Sequence, residues 1–371
     1  MIHAIALTGP TASGKTALSL RLASLCGCEI ICLDSMQIYK YMDIGTAKPT
    51  KEERAVLPHH LFGFLDPDAP CSAVAYKEAA LRCAEEISSR GKIPLFVGGT
   101  GLYLDTLMYS YSERVPESRA GRCALTKVAG GDRTSGADTG DKSGRTNDMN
   151  GSADGVTGNG GSDFAGGKGG GNGDAGEVAV CDPQAMWDEL MRVDPVSAAK
   201  IHKNNTRRVL RALEIYRETG KTKSEWDAEN RAPDPRIDIA VLTLDFHSRD
   251  TLYKRVDARV DEMLRAGLVD EAKWLLAHGY LSPESTAAQA IGYKELLPVL
   301  FGEEELSDAV ALIKQSSRRY AKRQLTWFRH VERAHRIYAD SEDGTLRAPD
   351  ELFRDIGAAL RTEGFSPAEK I

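Results

Sequence analysis

An eight-residue glycine-rich segment near the N-terminus restricts the fold of this chain more than any other feature. It reads Gly9-Pro10-Thr11-Ala12-Ser13-Gly14-Lys15-Thr16 and fits the pattern G-x-x-x-x-G-K-[ST]. The apolar run 2–7 precedes it and the amphipathic run 17–25 follows it, so the segment lies between a predicted strand and a predicted helix. This context favours a phosphate-binding loop over a glycine-rich turn that has no ligand.

The residue types of this loop suit a diphosphate or polyphosphate ligand. Glycines let the backbone N–H groups turn toward phosphate oxygens, and the following helix directs the positive end of its dipole at them. Lys15 adds a mobile cation, and Thr16 has a hydroxyl that can ligate Mg2+. We therefore predict that residues 9–16 bind phosphate groups and that Thr16 is a metal ligand.

Alternating apolar and amphipathic runs indicate the fold class. Strand-like runs at 2–7, 29–33 and 93–97 alternate with helical patterns at 17–25 and 76–90. This order predicts an α/β fold with a parallel sheet core like that of P-loop NTPases and with helices on both faces. Helical spacing then recurs at 187–216, 251–276 and 306–329, so we expect the second half to be mainly helical.

Composition excludes several classes of protein. The chain has 371 residues, of which 42% are hydrophobic and 27% charged, which is typical of a globular protein with two or three domains. There is no run of about 18 apolar residues and no basic leader, so we expect a cytoplasmic protein without a membrane partner. The seven cysteines are scattered without a CxxC pair, which argues against disulfides and zinc.

Residues 129–177 differ from the rest of the chain. This run contains 17 glycines, and its eight acids against four bases account for -4 of the formal net charge of -6. Its few large apolar side chains cannot offset the entropy of ordering the chain. We predict a disordered, acidic surface insertion, and the folded part is then close to neutral.

Polar side chains follow two further predicted strands. The segment Asp34-Ser35-Met36-Gln37 follows the run 29–33, and Thr100 follows the run 93–97. Parallel strands end at one edge of a sheet, so these side chains should face the phosphate loop. Asp34 is a candidate general base, although a helix or turn cap made with Ser35 is an alternative role. No acid follows the strand at 93–97, where many ATPases place one, so ATP hydrolysis is disfavoured.

Two basic helical segments point to a nucleic-acid partner despite the net charge. Arg207, Arg208 and Arg211 cluster on one predicted helix. From 314 to 330 there are six Lys or Arg and no acid, interleaved with aromatic side chains. A solvated basic face is the alternative for either helix alone.

Two further pairs of residues have alternative roles. Arg255 and Arg259 could clamp a diphosphate or form ion pairs with Asp257 and Asp261. The pair His59 and His60 is interpreted as structural.

Seven segments together closely resemble the bacterial tRNA dimethylallyltransferase family. They occur in the family's order: Gly9 to Thr16, Asp34 to Tyr39, Ile44 to Pro49, Gly98 to Tyr103, Arg207 to Glu214, Ala290 to Glu295 and Arg319 to Arg329. The resemblance covers residues 1 to about 340 outside the glycine-rich run. It implies three regions, namely a P-loop core at 1–112, a small helical insertion domain at 113–204 that the run 129–177 interrupts, and at 205–371 the rest of the core with a helical, tRNA-binding C-terminal part.

The resemblance also implies a reaction and its residues. A dimethylallyl group would pass from dimethylallyl diphosphate to N6 of the adenine 3′ of the anticodon, in tRNAs that read codons starting with U, with Mg2+. Asp34 would be the general base, Thr100 would position the amine and the leaving oxygen, and Arg255 would join the loop at the diphosphate. The tRNA-binding set would be Asp34, Ser35, Met36, Gln37, Thr100, Arg122, Arg207, Arg208, Val209, Leu210 and Arg211. Arg119 is an alternative to Arg122, and we expect a monomer that binds the anticodon stem-loop.

Two other functions would use the same residues differently. A small-molecule enzyme, either a prenyltransferase acting on free AMP or a kinase, would need the phosphate loop but not the basic helix at 314–330. A non-catalytic RNA-binding module would need the basic helices but not the set formed by Lys15, Asp34 and Thr100. Steep salt dependence of tRNA binding would separate the RNA-dependent functions from the small-molecule enzyme.

Overall fold

The computed structural model describes residues 1–110, 182–229, 231–282 and 285–365. The predicted insertion at 129–177 and the candidates Arg119 and Arg122 lie outside these ranges. The chain divides into two compact units. The first comprises Met1–Arg114 and Glu225–Ile371, and the second comprises Val115–Ser224.

A parallel sheet forms the centre of the first unit. Its strands are β1 (Ile2–Thr8), β2 (Cys28–Cys32), β3 (His59–His60), β4 (Ile93–Gly98), β5 (Ile237–Asp245) and β6 (His335–Tyr338). They lie in the order β3-β2-β4-β1-β5-β6, and every neighbouring pair is parallel. In register, Thr8 lies opposite Gly98 on one side and Thr243 on the other. The predicted α/β fold with a parallel sheet is confirmed.

The described helices of both units follow in chain order. They are α1 (Lys15–Cys26), α2 (Lys51–Val56), α3 (Ala73–Ser89), α4 (Gly101–Met108), α5 (Pro183–Val193), α6 (Pro195–Lys200), α7 (Thr206–Thr219), α8 (Lys223–Glu229), α9 (Arg249–Arg265), α10 (Leu268–Ala277), α11 (Tyr293–Leu300), α12 (Leu306–Phe328) and α13 (Pro349–Thr362). The helical pattern at 251–276 is thus two helices, α9 and α10. None of the described helices is both long and apolar enough to cross a membrane.

Strand alternation explains why helices cover both faces of the sheet. Along β1, Ala4 and Ala6 join a core with residues of α3 and α4, whereas Ile5 and Leu7 join a core with residues of α1 and α13. Successive side chains of a strand point to opposite faces, so a strand that is apolar throughout must be covered twice. The carboxyl ends of the strands are therefore the open edge where polar side chains can gather.

The described part of the second unit has a core of its own. Met186 and Leu190 of α5 pack with Val209 and Leu213 of α7, and Ala198 of α6 completes the cluster. Because α7 contributes this apolar face, it belongs with the insertion rather than with the segment from 205 onward. The unit accordingly ends at Ser224 and not at the predicted residue 204.

The two adjacent histidines form the short edge strand β3. His60 Nε2 lies 2.7 Å from Glu29 Oε2, and His59 Nδ1 lies 2.8 Å from the Leu57 carbonyl oxygen. Burial lowers the pKa of His59 and favours its neutral form. These contacts agree with the structural interpretation of both side chains.

Candidate active site

The loop at 9–16 has the strained backbone that phosphate binding requires. Gly9 has a φ of 140°, and a Cβ there would come within 2.8 Å of the Leu244 carbonyl oxygen. Ala12 and Gly14 also have positive φ. The first N–H groups of α1 have no acceptor within the helix. In addition, the buried Ser13 hydroxyl has no hydrogen-bond partner among the described residues, so the loop presents several unsatisfied donors.

Lys15 supplies a cation whose charge is costly to keep in this position. Its Nζ donates to the carbonyl oxygens of Gly9 (3.1 Å) and Pro10 (2.6 Å). Burial lowers the pKa of Lys15 to about 7, and the charge of Arg259 also lowers it, while Asp34 acts in the opposite direction. A bound anion would compensate this charge directly.

Two arginines of α9 lie beside the loop. The Arg255 Nε donates to the Ala12 carbonyl oxygen at 2.7 Å, and an Arg259 Nη donates to the Ala47 carbonyl oxygen at 3.5 Å. The Arg259 Nε is buried without a hydrogen-bond partner among the described residues, and burial lowers the pKa of this guanidinium. Both residues line the same cavity. Arg259 is therefore as well placed for an anion as Arg255, although only Arg255 was included in the predicted site.

The alternative of ion pairing within α9 is wrong. Asp257 pairs with Arg318 at 2.6 Å, and Asp261 pairs with Lys314 at 2.6 Å, so α12 takes both carboxylates. This leaves Arg255 and Arg259 directed to the phosphate loop and its surroundings.

Asp34 follows β2 and lines the cavity. Its Oδ1 accepts hydrogen bonds from the backbone N–H of Met36 (2.9 Å) and of Gln37 (3.3 Å). The turn role considered for Asp34 is therefore present, but it uses Oδ1, and Oδ2 accepts no hydrogen bond from the described residues. Burial raises the pKa of Asp34, against the opposing effects of these N–H groups and of Lys15 and Arg259. A carboxylate with a raised pKa is a stronger proton acceptor than an ordinary aspartate.

Thr100 hydrogen-bonds to the residue after Asp34 and does not line the cavity. Its Oγ1 accepts a hydrogen bond from the Ser35 N–H at 2.9 Å and lies 3.4 Å from the Ser35 Oγ. Thr100 is not among the side chains that line the cavity, whereas Ser35 and Met36 are. In this structure Thr100 thus fixes the segment that carries Asp34.

Gln324 is a site residue that no sequence motif predicted. Its Oε1 accepts the Thr11 N–H at 2.8 Å, and its Nε2 donates to the Gly99 carbonyl oxygen at 2.8 Å. One buried amide of α12 therefore joins the phosphate loop to the end of β4. The only signal in the sequence was an uncharged amide in the middle of a basic helix.

A cavity of about 660 Å3 in the first unit collects these groups. It is lined by residues 11–17 of the loop and α1, by 34–37, by Gly45 and Thr46, by Arg255 and Arg259, and by Tyr320, Arg323 and Gln324 of α12. Its size falls within the range of about 300–1,000 Å3 that small-molecule sites occupy. The cavity thus combines cations and hydrogen-bond donors that can bind an anion with a carboxylate, Asp34, that can accept a proton.

The donor set at the loop fits a magnesium ion that is bound together with phosphates. Among the described residues no group of three or more His, Cys, Asp or Glu could hold a metal by itself. Mg2+ at phosphate sites usually has few protein ligands, because phosphate oxygens and waters complete its shell. Thr16 lines the cavity at the start of α1, where a phosphate-bound ion would need it.

Three of the six cations in the basic segment 314–330 bind carboxylates of neighbouring elements. Lys314 and Arg318 bind α9 as described, and Arg329, directly after the helix, binds the buried Asp245 through two nitrogens at 2.7 and 2.9 Å. The exposed cations are Arg319, Lys322 and Arg323, and the Trp327 side chain beside them is 39% exposed. These four residues are called the α12 patch below.

Helix α7 in the second unit exposes fewer of its predicted tRNA-binding side chains than expected. Arg207 and Arg208 are exposed, whereas Arg211 pairs with Glu214 at 3.2 Å. Leu210 is half-buried. Val209 is completely buried in the core of its unit, so the predicted tRNA contact of its side chain is not available in this structure.

Comparison with known proteins identifies the family. A family model described as IPP transferase matches residues 37–135 and 175–331, and one described as isopentenyl transferase matches 2–57. A tRNA dimethylallyltransferase of Acetivibrio thermocellus is 37% identical over 366 residues, which cover 98% of this chain and 99% of that protein.

Solved structures give the same result. The full-length tRNA isopentenylpyrophosphate transferase of Bacillus halodurans aligns with a TM-score of 0.61 and 32% identity over 98% of both chains. A eukaryotic dimethylallyltransferase acting on tRNA aligns with a TM-score of 0.70 and 26% identity over 100% of this chain and 81% of that one. Because these matches extend over nearly the whole chain, it belongs to the IPP transferase family, as the resemblance predicted.

Proposed function

We propose that the protein transfers a dimethylallyl group from dimethylallyl diphosphate to N6 of the adenine 3′ of the anticodon, in tRNAs that read codons beginning with U. The observation that carries this proposal is the content of one cavity. Asp34, a half-buried carboxylate with a raised pKa, shares it with Lys15 and the phosphate loop. A prenyl transfer to an amine needs both groups, one for the leaving diphosphate and one for the proton.

The loop side of the cavity acts on the leaving group. As the bond between the allylic carbon and the diphosphate oxygen breaks, negative charge builds on the diphosphate. Lys15, Arg255 and Arg259 stabilise this charge together with the N–H groups of the loop, and they do so without reorganisation because the fold already holds them there. Mg2+ bound by Thr16 and diphosphate oxygens would supply further electrostatic stabilisation.

Asp34 acts on the acceptor. The adenine N6 attacks the allylic carbon, a C–N bond forms, the C–O bond breaks, and diphosphate leaves. The proton lost from N6 passes to Asp34, for which Oδ2 has no competing donor among the described residues. Thr100 supports this step by fixing Ser35, which follows Asp34 in the chain.

The tRNA must present its adenine unstacked. Such a base turns out of the anticodon loop into the cavity, where residues 34–37 contact it. The α12 patch, together with Arg207, Arg208 and Arg211 of α7, would bind the phosphates of the anticodon stem-loop. Arg122 is proposed for the same role by resemblance alone. We further propose that the protein acts as a monomer in the cytoplasm, where its RNA substrate is found.

Transfer of a labelled prenyl group tests this proposal. Purified protein with Mg2+ and labelled dimethylallyl diphosphate would be offered unmodified bacterial tRNA, AMP or ATP as acceptor. Asp34→Asn keeps the turn acceptor but not the base, and should lower kcat with tRNA by about 10³-fold. The matched control is Asp238→Asn, since the Asp238 side chain is 70% exposed at the surface of β5.

Each acceptor leads to a different conclusion. Label in tRNA alone that is lost in Asp34→Asn and retained in Asp238→Asn supports the proposal. Label in AMP or ATP would move the protein to the class of enzymes that prenylate free nucleotides. Binding of tRNA without label in any acceptor would leave an RNA-binding protein without this chemistry.

A further inference from the structure

A single carboxylate organises the loop at 43–47, which lines one side of the cavity. Glu271 lies in the first turn of α10, and its two oxygens accept hydrogen bonds from three consecutive backbone N–H groups. The distances are 2.9 Å from Asp43, 2.8 Å from Ile44 and 2.9 Å from Gly45. Three N–H groups converging on one anion form a rigid contact.

Tyr293 of α11 contacts both Glu271 and the loop backbone. Its hydroxyl donates to Glu271 Oε1 at 2.6 Å. A Cβ at Gly45 would collide with the Tyr293 ring, so the loop backbone rests directly on this side chain. Burial, together with the charge of Glu271, raises the pKa of Tyr293 well above its ordinary value, which keeps the hydroxyl a neutral donor.

The anchored loop in turn fixes Gln37. The Gln37 Nε2 donates to the carbonyl oxygens of Thr46 (3.0 Å) and Ala47 (3.3 Å). An amide nitrogen has two N–H donors, and the loop accepts both of them. Gln37 can therefore offer a ligand only its Oε1, which is a hydrogen-bond acceptor.

We propose that Glu271 is a positioning residue for base recognition. It holds the loop whose carbonyl oxygens orient the Gln37 amide, and the amide oxygen then selects a base with an amino donor. Adenine has such a donor at N6, whereas guanine has an acceptor at the corresponding position. The inference rests on the proposed function, because that function makes adenine in an RNA loop the ligand of residues 34–37.

The test compares binding of two RNAs. Anticodon stem-loops that carry either adenine or guanine at the target position are titrated into the full-length protein without the prenyl donor. We expect wild-type protein to prefer adenine by about tenfold, and Glu271→Gln to reduce this preference to about twofold. In activity assays the variant should raise KM for tRNA while KM for dimethylallyl diphosphate changes little. Asp270→Asn is the matched control, since Asp270 is an exposed acid of α10 whose only ion pair among the described residues is with Lys273.

A structural role alone would lower thermal stability and kcat and leave the adenine preference intact, which would overturn the inference. If Glu271→Gln fails to fold, the same binding measurement is made on Tyr293→Phe. This variant loses one hydrogen bond to Glu271 and keeps the aromatic ring against Gly45. An unchanged preference for adenine over guanine in Tyr293→Phe would count against the inference. Absence of prenyl transfer by wild-type protein would refute the proposed function, whereas loss of base preference in Glu271→Gln would still support the role of Glu271.

Discussion

Cationic side chains around the cavity and those on the two basic helices are in different environments. Lys15, Arg255 and Arg259 contact backbone carbonyl oxygens at the cavity wall, and burial lowers the pKa of two of them, Lys15 and Arg259. Arg319 and Lys322 of α12, like Arg207 and Arg208 of α7, do not line the cavity; they are exposed and have no ion pair among the described residues. The charges of Lys15 and Arg259 therefore carry a desolvation cost, whereas the exposed cations stay in contact with water.

This difference determines what each set can recognise. A desolvated cation interacts strongly with an anion at contact distance and is little affected by salt, so it suits a buried diphosphate. An exposed cation attracts phosphates over a longer range and releases counterions when it binds, so its contribution falls with salt. The two sets should therefore be separable by experiments that vary charge, pH and ionic strength.

The largest effect should come from the cations at the cavity. Lys15→Met removes a preorganised cation from the diphosphate, and we expect kcat/KM for dimethylallyl diphosphate to fall by about 10³-fold. The loss should be similar at low and high salt, and tRNA binding should be unchanged. The exposed Lys51→Met of α2 serves as control. A loss of activity that disappears at high salt would mean that Lys15 behaves like an exposed cation, which would contradict the difference between the cavity cations and the surface cations.

Variation of pH should act on Asp34 and Lys15 in the cavity, with an effect on activity of about tenfold per pH unit outside the optimum. Burial raises the pKa of Asp34, so as the pH falls the base is protonated, and activity is lost at a pH where an ordinary aspartate is still ionised. Burial lowers the pKa of Lys15 to about 7, so above that pH the free enzyme loses the cation that binds diphosphate.

A profile of kcat/KM for dimethylallyl diphosphate against pH checks both losses of activity, the one at low pH (the acidic limb) and the one at high pH (the basic limb). The expected shape is a bell with its basic limb near pH 7. Lys15→Arg, which keeps its charge at all these pH values, should remove the basic limb and leave the acidic one. A basic limb that persists in Lys15→Arg would show that another group causes it.

The sequence was sufficient to place the loop 9–16 and Asp34 at the same edge of the sheet. Residues 9–16 form one motif, and Asp34 follows directly after a strand, so local pattern was sufficient. Gln324 and Glu271 were missed because the groups they bind lie far along the chain, at separations of 313 residues to Thr11 and 227 to Ile44. No local pattern carries such pairings, which only the fold brings together.

The same limit applies to the sheet and to the basic helices. Strand β5 was not predicted. It lies between β1 and β6, and its apolar run 239–242 lacks the period-two signal of a half-exposed strand. The sequence also showed six cations at 314–330 but not that carboxylates of α9 and β5 bind three of them. Charge counts alone therefore overestimated the surface available to RNA.

A smaller effect is expected from the exposed set in the second unit. The double change of Arg207 and Arg208 to Gln should raise KM for tRNA by about tenfold and reduce the slope of log affinity against log salt by about 2. KM for dimethylallyl diphosphate should not change. The control is Arg217→Gln, a cation of the same helix that already pairs with Glu189 at 2.6 Å. An equal change of slope in this control would show that pairing does not distinguish the cations of α7.

The smallest effect should come from a paired cation of α12. It tests whether paired and exposed cations of the same helix have different roles. Lys314 binds Asp261 at 2.6 Å and is three-quarters buried, so Lys314→Gln should cost about 0.5 kcal/mol in the free energy of unfolding and leave the salt slope of tRNA binding unchanged. Arg319→Gln, one exposed cation further along the same helix, should do the reverse, with a slope reduced by about 1 and unchanged stability. Chemical denaturation and salt titrations of both variants provide the measurements. If Lys314→Gln reduces the slope as much as Arg319→Gln, the ion pair opens when RNA binds, and the division of α12 into structural and RNA-binding cations is wrong.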